Sequence, residues 1–104
     1  MTVITDEHLK EFKSLYVKAE GLGIESDEEL KNILNTAYRQ IVSYSDEFDM
    51  DEYPIGRLLV YDYARYIRAN ASELFFDNFK SQLNNFGFEL MLDRGINDDT
   101  QQNS

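Results

Sequence analysis

The residues best suited to chemistry are the carboxylates of the segment 45–53, which reads SDEFDMDEY. Clustered carboxylates suit hard cations such as Ca²⁺, and an EF-hand loop needs oxygen ligands at its first, third and fifth positions, followed by Gly. Counting from Asp49, the third position is Asp51, but the fifth is Tyr53 and the sixth is Pro54. This spacing predicts a solvated acidic loop and no metal site.

The remaining residue types that support catalysis or cofactor binding are sparse. His8 is the only histidine, and its place beside Asp6 and Glu7 in a first helical turn predicts a surface position. The GxG at residues 21–23 lacks a third Gly and a preceding strand, so it predicts a helix end instead of a phosphate loop. Cysteine is absent, which excludes disulfides, thiolate ligands and Cys nucleophiles. We therefore predict no enzyme activity, no cofactor and no metal.

The segment Tyr61–Arg68, YDYARYIR, mixes aromatic and basic residues, a pattern that can stack on and clamp nucleic acid. The whole chain, however, has 20 acidic and 10 basic residues and a formal net charge of −10. Phosphate backbones repel such a chain unless its cations are segregated on one face. The pattern therefore favours packing and pairing within or between subunits over nucleic-acid binding.

Composition favours one helical domain. The chain has 104 residues, of which 42% are hydrophobic, with one Pro and five Gly. This length supports a single modest core, and the scarcity of Pro and Gly favours long helices. The first ten residues show no signal-peptide pattern, and no apolar run reaches membrane-spanning length, so we expect a soluble protein made in the cytoplasm.

Two capped helices are predicted first. Thr5 is a candidate N-cap, and an apolar stripe follows it at helical spacing, at Leu9, Phe12, Leu15, Tyr16 and Ala19. Gly21 and Gly23 are expected to end this helix. Ser26 and Glu29 form a capping box before a second stripe, at Leu30, Ile33, Leu34, Ala37 and Ile41.

A long third helix is predicted from Pro54, whose missing N–H is tolerated in a first turn. Its inward residues are predicted in two phases, first Leu58, Leu59, Ala64, Ile67, Ala71 and Leu74, and later Phe76, Phe79, Leu83, Phe86 and Leu90. The change of phase predicts a kink or short break near residues 70–78, with Asn70 or Ser72 as the cap. Arg94–Gly95 is expected to end the last helix. The predicted fold is an all-α bundle of three to four main helices, with a helical domain at 1–93 and a flexible polar tail at 94–104.

The stretch from Ala64 to Leu90 resembles the head-tail connector (head-completion adaptor) proteins of tailed phages. The resemblance is carried by Arg65-Tyr66, Arg68 with Asn70, Glu73-Leu74-Phe75 and Asn78-Phe79. The order of the elements also matches the family. Two short capped helices and an acidic loop precede this stretch, and the long helix contains it. The layout thus covers most of the chain, while the sharpest likeness lies in this one stretch.

The resemblance implies a structural virion protein of the neck, made in the host bacterial cytoplasm, that forms a ring, expected to be dodecameric. Such a ring binds portal on one side and a stopper or tail-completion protein on the other, and DNA passes through the lumen without specific binding. Portal-contact candidates are Leu90, Leu92, Arg94 and Ile96. Stopper-facing candidates are Asp46, Glu47, Asp49 and Asp51. Inter-subunit candidates are Arg57, Arg65 and Arg68.

A function of another class shares the charge and size of this chain: an acidic inhibitor, encoded by a mobile element, that mimics DNA. Such a mimic should display carboxylates along a face with few basic interruptions. The predicted long helices instead carry several basic residues, namely Arg57, Arg65, Arg68 and Lys80. These residues favour the connector interpretation.

Overall fold

The computed structural model describes residues 3–17 and 26–102, and it describes side chains in these ranges except those of Val17 and of residues 96–102. The elements in chain order are α1 (Asp6–Phe12), a π-helical turn (Lys13–Val17), α2 (Asp27–Tyr44), α3 (Pro54–Arg68), a 3₁₀ turn (Ser72–Leu74) and α4 (Phe75–Gln102). No strand occurs in this part of the chain. The predicted all-α bundle is confirmed.

Side chains cap the starts of α1 and α2, where backbone N–H groups have no partner within the helix. Thr5 Oγ1 accepts from the His8 N–H at 3.2 Å, and Nδ1 of His8 accepts from the Thr5 N–H at 3.0 Å. Ser26 and Glu29 exchange the equivalent bonds at 3.1 and 3.2 Å. Pro54 is the first residue of α3. The predicted N-caps, capping box and proline position are therefore confirmed.

The stripe of α2 is buried as its helical spacing predicts, with Leu30, Leu34, Ala37 and Ile41 at most 1% exposed. In the first predicted stripe the prediction fails at Leu15, which lies in the π-helical turn after α1 and is 48% exposed. The π-helical turn widens the spiral after Phe12, so positions beyond it rotate away from an α-helical register. Tyr16 then packs against the core. The predicted stripe residue Ala19 and the helix end at Gly21 and Gly23 lie outside the described residues.

The predicted discontinuity in the long helix is a break between α3 and α4. α3 ends at Arg68, and Asn70 follows with φ 57°. Asn tolerates this left-handed conformation better than most residues, so Asn70 ends α3, while Ser72 opens the 3₁₀ turn. Because the chain reverses here, Phe75 occupies the core and the predicted core residues Leu74 and Phe76 are 53% and 40% exposed.

The buried side of α3 is wider than the apolar stripe predicted for it. The side chains of Val60 and Tyr61 and the backbone of Gly56 are buried together with Leu59 and Ala64, while Leu58, predicted to face inward, is 44% exposed. α1, α2 and α4 all contact α3, so its buried arc exceeds that of a helix packed on one neighbour.

α4 runs antiparallel to α3. The ring of Phe75 lies 4.8 Å from that of Tyr63 late in α3, and Phe86 contacts Gly56 at the start of α3. The predicted end of this helix at Arg94–Gly95 is wrong, because α4 continues to Gln102. A Gly inside a helix costs about 1 kcal/mol relative to Ala, which does not stop a helix that its flanking residues sustain.

Candidate interaction surfaces

The acidic loop, residues 45–53, is anchored to the core through alternate side chains. Phe48 and Met50 are 5% and 1% exposed, whereas the carboxylates around them are exposed. The Tyr38 hydroxyl donates to the Phe48 carbonyl oxygen at 2.9 Å and accepts from the Phe48 N–H at 3.3 Å. The loop therefore presents its acids on a backbone that buried neighbours fix in place.

His8 links α1 to this loop, and its predicted surface position is wrong, since the residue is 5% exposed. Nδ1 accepts from the Thr5 N–H, so in the neutral ring Nε2 carries the proton. Nε2 lies 2.9 Å from Oδ1 of Asp51 and donates to it. The Tyr61 hydroxyl also contacts this residue, at 3.4 Å from the His8 carbonyl oxygen. The only histidine thus works as a cap and a tether.

Arg57, an inter-subunit candidate, is engaged within its own chain. Nη1 donates to the Met50 carbonyl oxygen at 3.0 Å, and Nε lies 3.1 Å from Oε1 of Glu11 without the alignment of a hydrogen bond. The Tyr61 hydroxyl donates to the same Glu11 oxygen at 2.7 Å. Burial and this bond raise the pKa of Tyr61 far above its ordinary value. Arg57 therefore ties the loop to α1 from α3.

Arg94, a portal-contact candidate, ties the same loop to α4. Nη1 donates to Oδ2 of Asp46 at 2.6 Å, and Nη2 donates to the Glu47 carbonyl oxygen. One residue earlier, Oδ2 of Asp93 accepts from the Tyr53 hydroxyl at 2.9 Å, and this bond raises the pKa of Tyr53. The loop and the second half of α4 therefore form one connected surface.

The stopper-facing candidates are also held within the chain. Oδ1 of Asp49 accepts from the backbone N–H groups of Asp51 at 2.7 Å and Glu52 at 3.3 Å, which is an Asx turn. Asp46 bonds Arg94, Asp51 bonds His8, and Glu47 offers its carbonyl oxygen to Arg94. Within the described ranges no group of three or more metal-ligating side chains occurs.

Arg65 lies on the outward side of α3 beside a half-buried carboxylate. Its Nη2 is 3.2 Å from Oδ1 of Asp62, and its guanidinium sits over the Tyr16 ring at 5.4 Å. Burial raises the pKa of Asp62, while the charge of Arg65 and hydrogen bonds from Tyr16 and Arg65 oppose that shift. Arg68 is half-buried in the last turn of α3. The Arg65 side chain thus remains partly exposed to solvent while it pairs with Asp62 of its own chain.

The portal-contact candidates on α4 separate into buried and open positions. Leu90 is 1% exposed and offers no surface in this conformation, whereas Leu92 is 48% exposed. The backbone of Ile96 is part of α4, but its side chain is outside the described set. Sequence analysis missed Phe88 and Met91, which are 55% and 59% exposed. Their signal is a spacing of three and four residues with Leu92, on the side of α4 opposite Phe86 and Leu90.

Comparisons with known proteins do not assign this chain to a family. No family model matches it, and no curated protein or solved structure is similar to it. Among the helices that the structure describes, none is long and apolar enough to cross a membrane. The surfaces described above are therefore the physical basis for a functional proposal.

Proposed function

We propose that this chain is a structural subunit of a tailed-phage head-tail connector, which joins copies of itself, a portal protein and a stopper or tail-completion protein. The observation that carries this proposal is the exposure of Phe88, Met91 and Leu92 along one side of α4. Contiguous apolar surface on a small, strongly acidic domain is typical of a protein–protein contact. The expected assembly is a dodecameric ring in the neck of the virion.

The charge of the chain suits a ring that surrounds DNA without holding it. Affinity for DNA comes largely from Lys and Arg that neutralise phosphates. Here three arginines are turned toward carboxylates of their own chain: Arg57 toward Glu11, Arg65 toward Asp62 and Arg94 toward Asp46. A lumen lined by this protein would leave the phosphates unneutralised, so DNA could slide through it.

For the portal contact, Leu92 is the better of the two described leucines, because Leu90 is already used by the core. Arg94 has a double role, since a portal that recruited it would compete with Asp46 and the Glu47 carbonyl oxygen. Portal binding through α4 would thereby loosen the acidic loop, which is the proposed stopper-facing element. Arg65 and Arg68 are the remaining candidates for lateral contacts between subunits.

The contacts of the described carboxylates weigh against the DNA-mimic alternative. Lys31 pairs with Asp6, Lys13 lies 2.8 Å from Asp27, and Arg94 pairs with Asp46. A carboxylate surface interrupted by cations reproduces the phosphate pattern of DNA poorly.

The proposal is tested with portal protein from the phage that encodes this chain. Negative-stain microscopy and co-sedimentation should show the intact chain decorating portal rings. A chain truncated after Arg94 keeps the hydrogen bonds from Arg94 to the acidic loop, whereas a chain truncated after Asp93 loses them. Both truncated chains should bind portal more weakly if the C-terminal segment makes the contact. Leu92→Glu should also weaken binding. The control Leu58→Glu changes a comparably exposed leucine on α3 and should leave portal binding unchanged.

Helix content by circular dichroism should stay equal to that of the intact chain in all four variants, apart from the residues removed. If the intact chain fails to bind the portal of its own phage, the connector proposal is wrong. If both truncated chains decorate portal as fully as the intact one, the assignment of the C-terminal segment is wrong.

A further inference from the structure

Two helices of this fold begin with the same kind of capping box, but a different residue type completes each one. In both boxes the side chain three residues after the N-cap accepts a hydrogen bond from the backbone N–H of the N-cap residue. On α2, Oε1 of Glu29 accepts from the Ser26 N–H at 3.2 Å. On α1, Nδ1 of His8 accepts from the Thr5 N–H at 3.0 Å. The two acceptors belong to groups that respond differently to pH.

An imidazole and a carboxylate lose the ability to accept a hydrogen bond in different pH ranges. Histidine becomes charged between about pH 8 and about pH 5, whereas a Glu carboxylate is protonated only below about pH 5. The neutral imidazole has one acceptor nitrogen, but the protonated ring carries N–H on both nitrogens and has none. Because the Thr5 N–H is also a donor, a protonated His8 would oppose two N–H groups across 3.0 Å. Protonation therefore breaks the bond that His8 gives to the cap of α1, while the bond from Glu29 remains.

The other nitrogen of the ring already has a partner that suits a charged imidazole. Nε2 lies 2.9 Å from Oδ1 of Asp51, whose side chain is largely exposed. A proton on the ring turns this hydrogen bond into a charge-assisted ion pair. The titratable and charged groups on the surrounding elements are Asp6, Glu7 and Glu11 on α1, Lys31 on α2, Asp49 in the loop, and Arg57 and Tyr61 on α3. Carboxylates outnumber cations in this set, so a charged ring has counterions without leaving the loop.

We propose that His8 is a pH-sensitive switch at the start of α1. Protonation releases the hydrogen bond from the Thr5 N–H and leaves the ring in a charged pair with Asp51. The ring has room to adjust, because it lines a hollow of about 360 Å³ whose wall also includes Val3 and Thr5. Ile4, between these two residues, is 2% exposed and anchors the segment in the core, so the change stays local to the start of α1. The switch is independent of the connector function proposed above.

NMR spectroscopy of the isotope-labelled full chain from about pH 8 to about pH 5 tests the proposal. The neutral His8 ring should carry its proton on Nε2. As the ring takes up a second proton, the Thr5 amide signal should shift along the same titration curve. The protection of this amide against hydrogen exchange, corrected for the intrinsic exchange rate at each pH, should fall at least severalfold. The Ser26 amide is the internal control and should keep its protection, and nuclear Overhauser effects between the His8 ring and Asp51 should persist.

The variant His8→Gln keeps the cap acceptor and removes the charge. An amide oxygen at this position of a capping box accepts from the N-cap N–H, and it does not titrate. The Thr5 amide of this variant should therefore keep its protection down to about pH 5. If the variant folds poorly, the comparison of Thr5 with Ser26 in the unchanged protein still decides the question.

A Thr5 amide that keeps its protection while the His8 ring is protonated would overturn the proposal. So would a ring that stays neutral down to about pH 5, or a neutral ring with its proton on Nδ1. An equal loss of protection at Thr5 in His8→Gln, or at Ser26 in the unchanged protein, would show that the change is not caused by the cap. A ring that loses its contact with Asp51 when protonated would contradict the charged pair. A failure to bind portal has no bearing on this switch, so the two proposals fail separately.

Discussion

Phe86 and Phe88 stand two residues apart on α4, on opposite sides of the helix. Phe86 is 1% exposed, and its ring lies 4.8 Å from that of Phe48 and 6.0 Å from that of Tyr53. Phe88 is 55% exposed. One helix therefore supplies both the core and the surface proposed for association. The number of aromatic residues alone says nothing about how they divide between these two roles.

The same comparison can be made for two other residue types. Gly56 and Gly87 both lie inside helices, but only Gly56 faces other side chains at close range. Asp62 is half-buried beside Tyr16 and Arg65, whereas the carboxylate of Asp6 is open to solvent beside Lys31. Each pair holds the residue type constant and changes its surroundings, so each isolates the energetic effect of position.

The largest expected difference is between Phe86→Ala and Phe88→Ala. Removing a buried Phe side chain costs about 3–5 kcal/mol, because the transfer free energy is lost and a cavity remains. Removing the half-exposed Phe88 side chain should change the free energy of unfolding by about 0.5 kcal/mol. Urea unfolding followed by circular dichroism, at concentrations where the protein is monomeric, measures both values. Similar losses for the two variants would contradict the assignment of an inner and an outer side.

A smaller difference is expected between Gly56→Ala and Gly87→Ala. A Cβ at Gly56 would lie 2.4 Å from Cζ of Phe86 and 2.7 Å from Cε2 of Phe48, so both rings would have to move. Such overpacking costs about 1–3 kcal/mol. At Gly87 the nearest atoms are 3.8 Å away, and Ala should stabilise the helix by about 0.5–1 kcal/mol. A stabilising Gly56→Ala would show that the junction between Phe48 and Phe86 is loose.

Local features of the fold could be predicted from the sequence because their causes are local. The caps at Thr5 and Ser26, the start of α3 at Pro54 and the stripe of α2 each depend on residues within one or two turns. The break after α3 could be predicted for the same reason, since the apolar phase changes across it.

Burial that depends on a distant segment could not be predicted in this way. His8 is buried because the acidic loop, more than forty residues later, covers it through Asp51. Gly56 is required because Phe86 crosses it, and Leu15 is exposed because a π-helical turn intervenes. The hydrogen bonds from Arg94 to the acidic loop could not be predicted, because Gly95 suggests that the helix ends at this position. The candidate arginines could be listed from sequence, but their partners within the chain could not.

The smallest expected difference concerns pH and the two aspartates. Burial raises the pKa of Asp62, so its ionisation favours the unfolded chain. Its contribution to stability is complete below the ordinary carboxyl pKa and is lost as pH rises through the raised value. The hydrogen bond and charge of Lys31 lower the pKa of Asp6. Its contribution is present above the ordinary value and is lost as pH falls through the lowered one.

Asp62→Asn should therefore gain stability relative to the unchanged protein as pH rises from about 4 toward 7, because the carboxyl group whose ionisation burial disfavours is gone while the amide oxygen still accepts from Tyr16 and Arg65. Asp6→Asn should lose stability relative to it at neutral pH, and that deficit should shrink as pH falls below about 4. Urea unfolding at a series of pH values gives both differences. Because each variant removes one negative charge, a general charge effect would change both stabilities in the same direction, so opposite signs exclude it. A destabilised Asp62→Asn at neutral pH would mean that the pair with Arg65 outweighs the burial of the carboxylate, and Asp62 would then belong with Asp6 among the groups that stabilise the fold in their charged form.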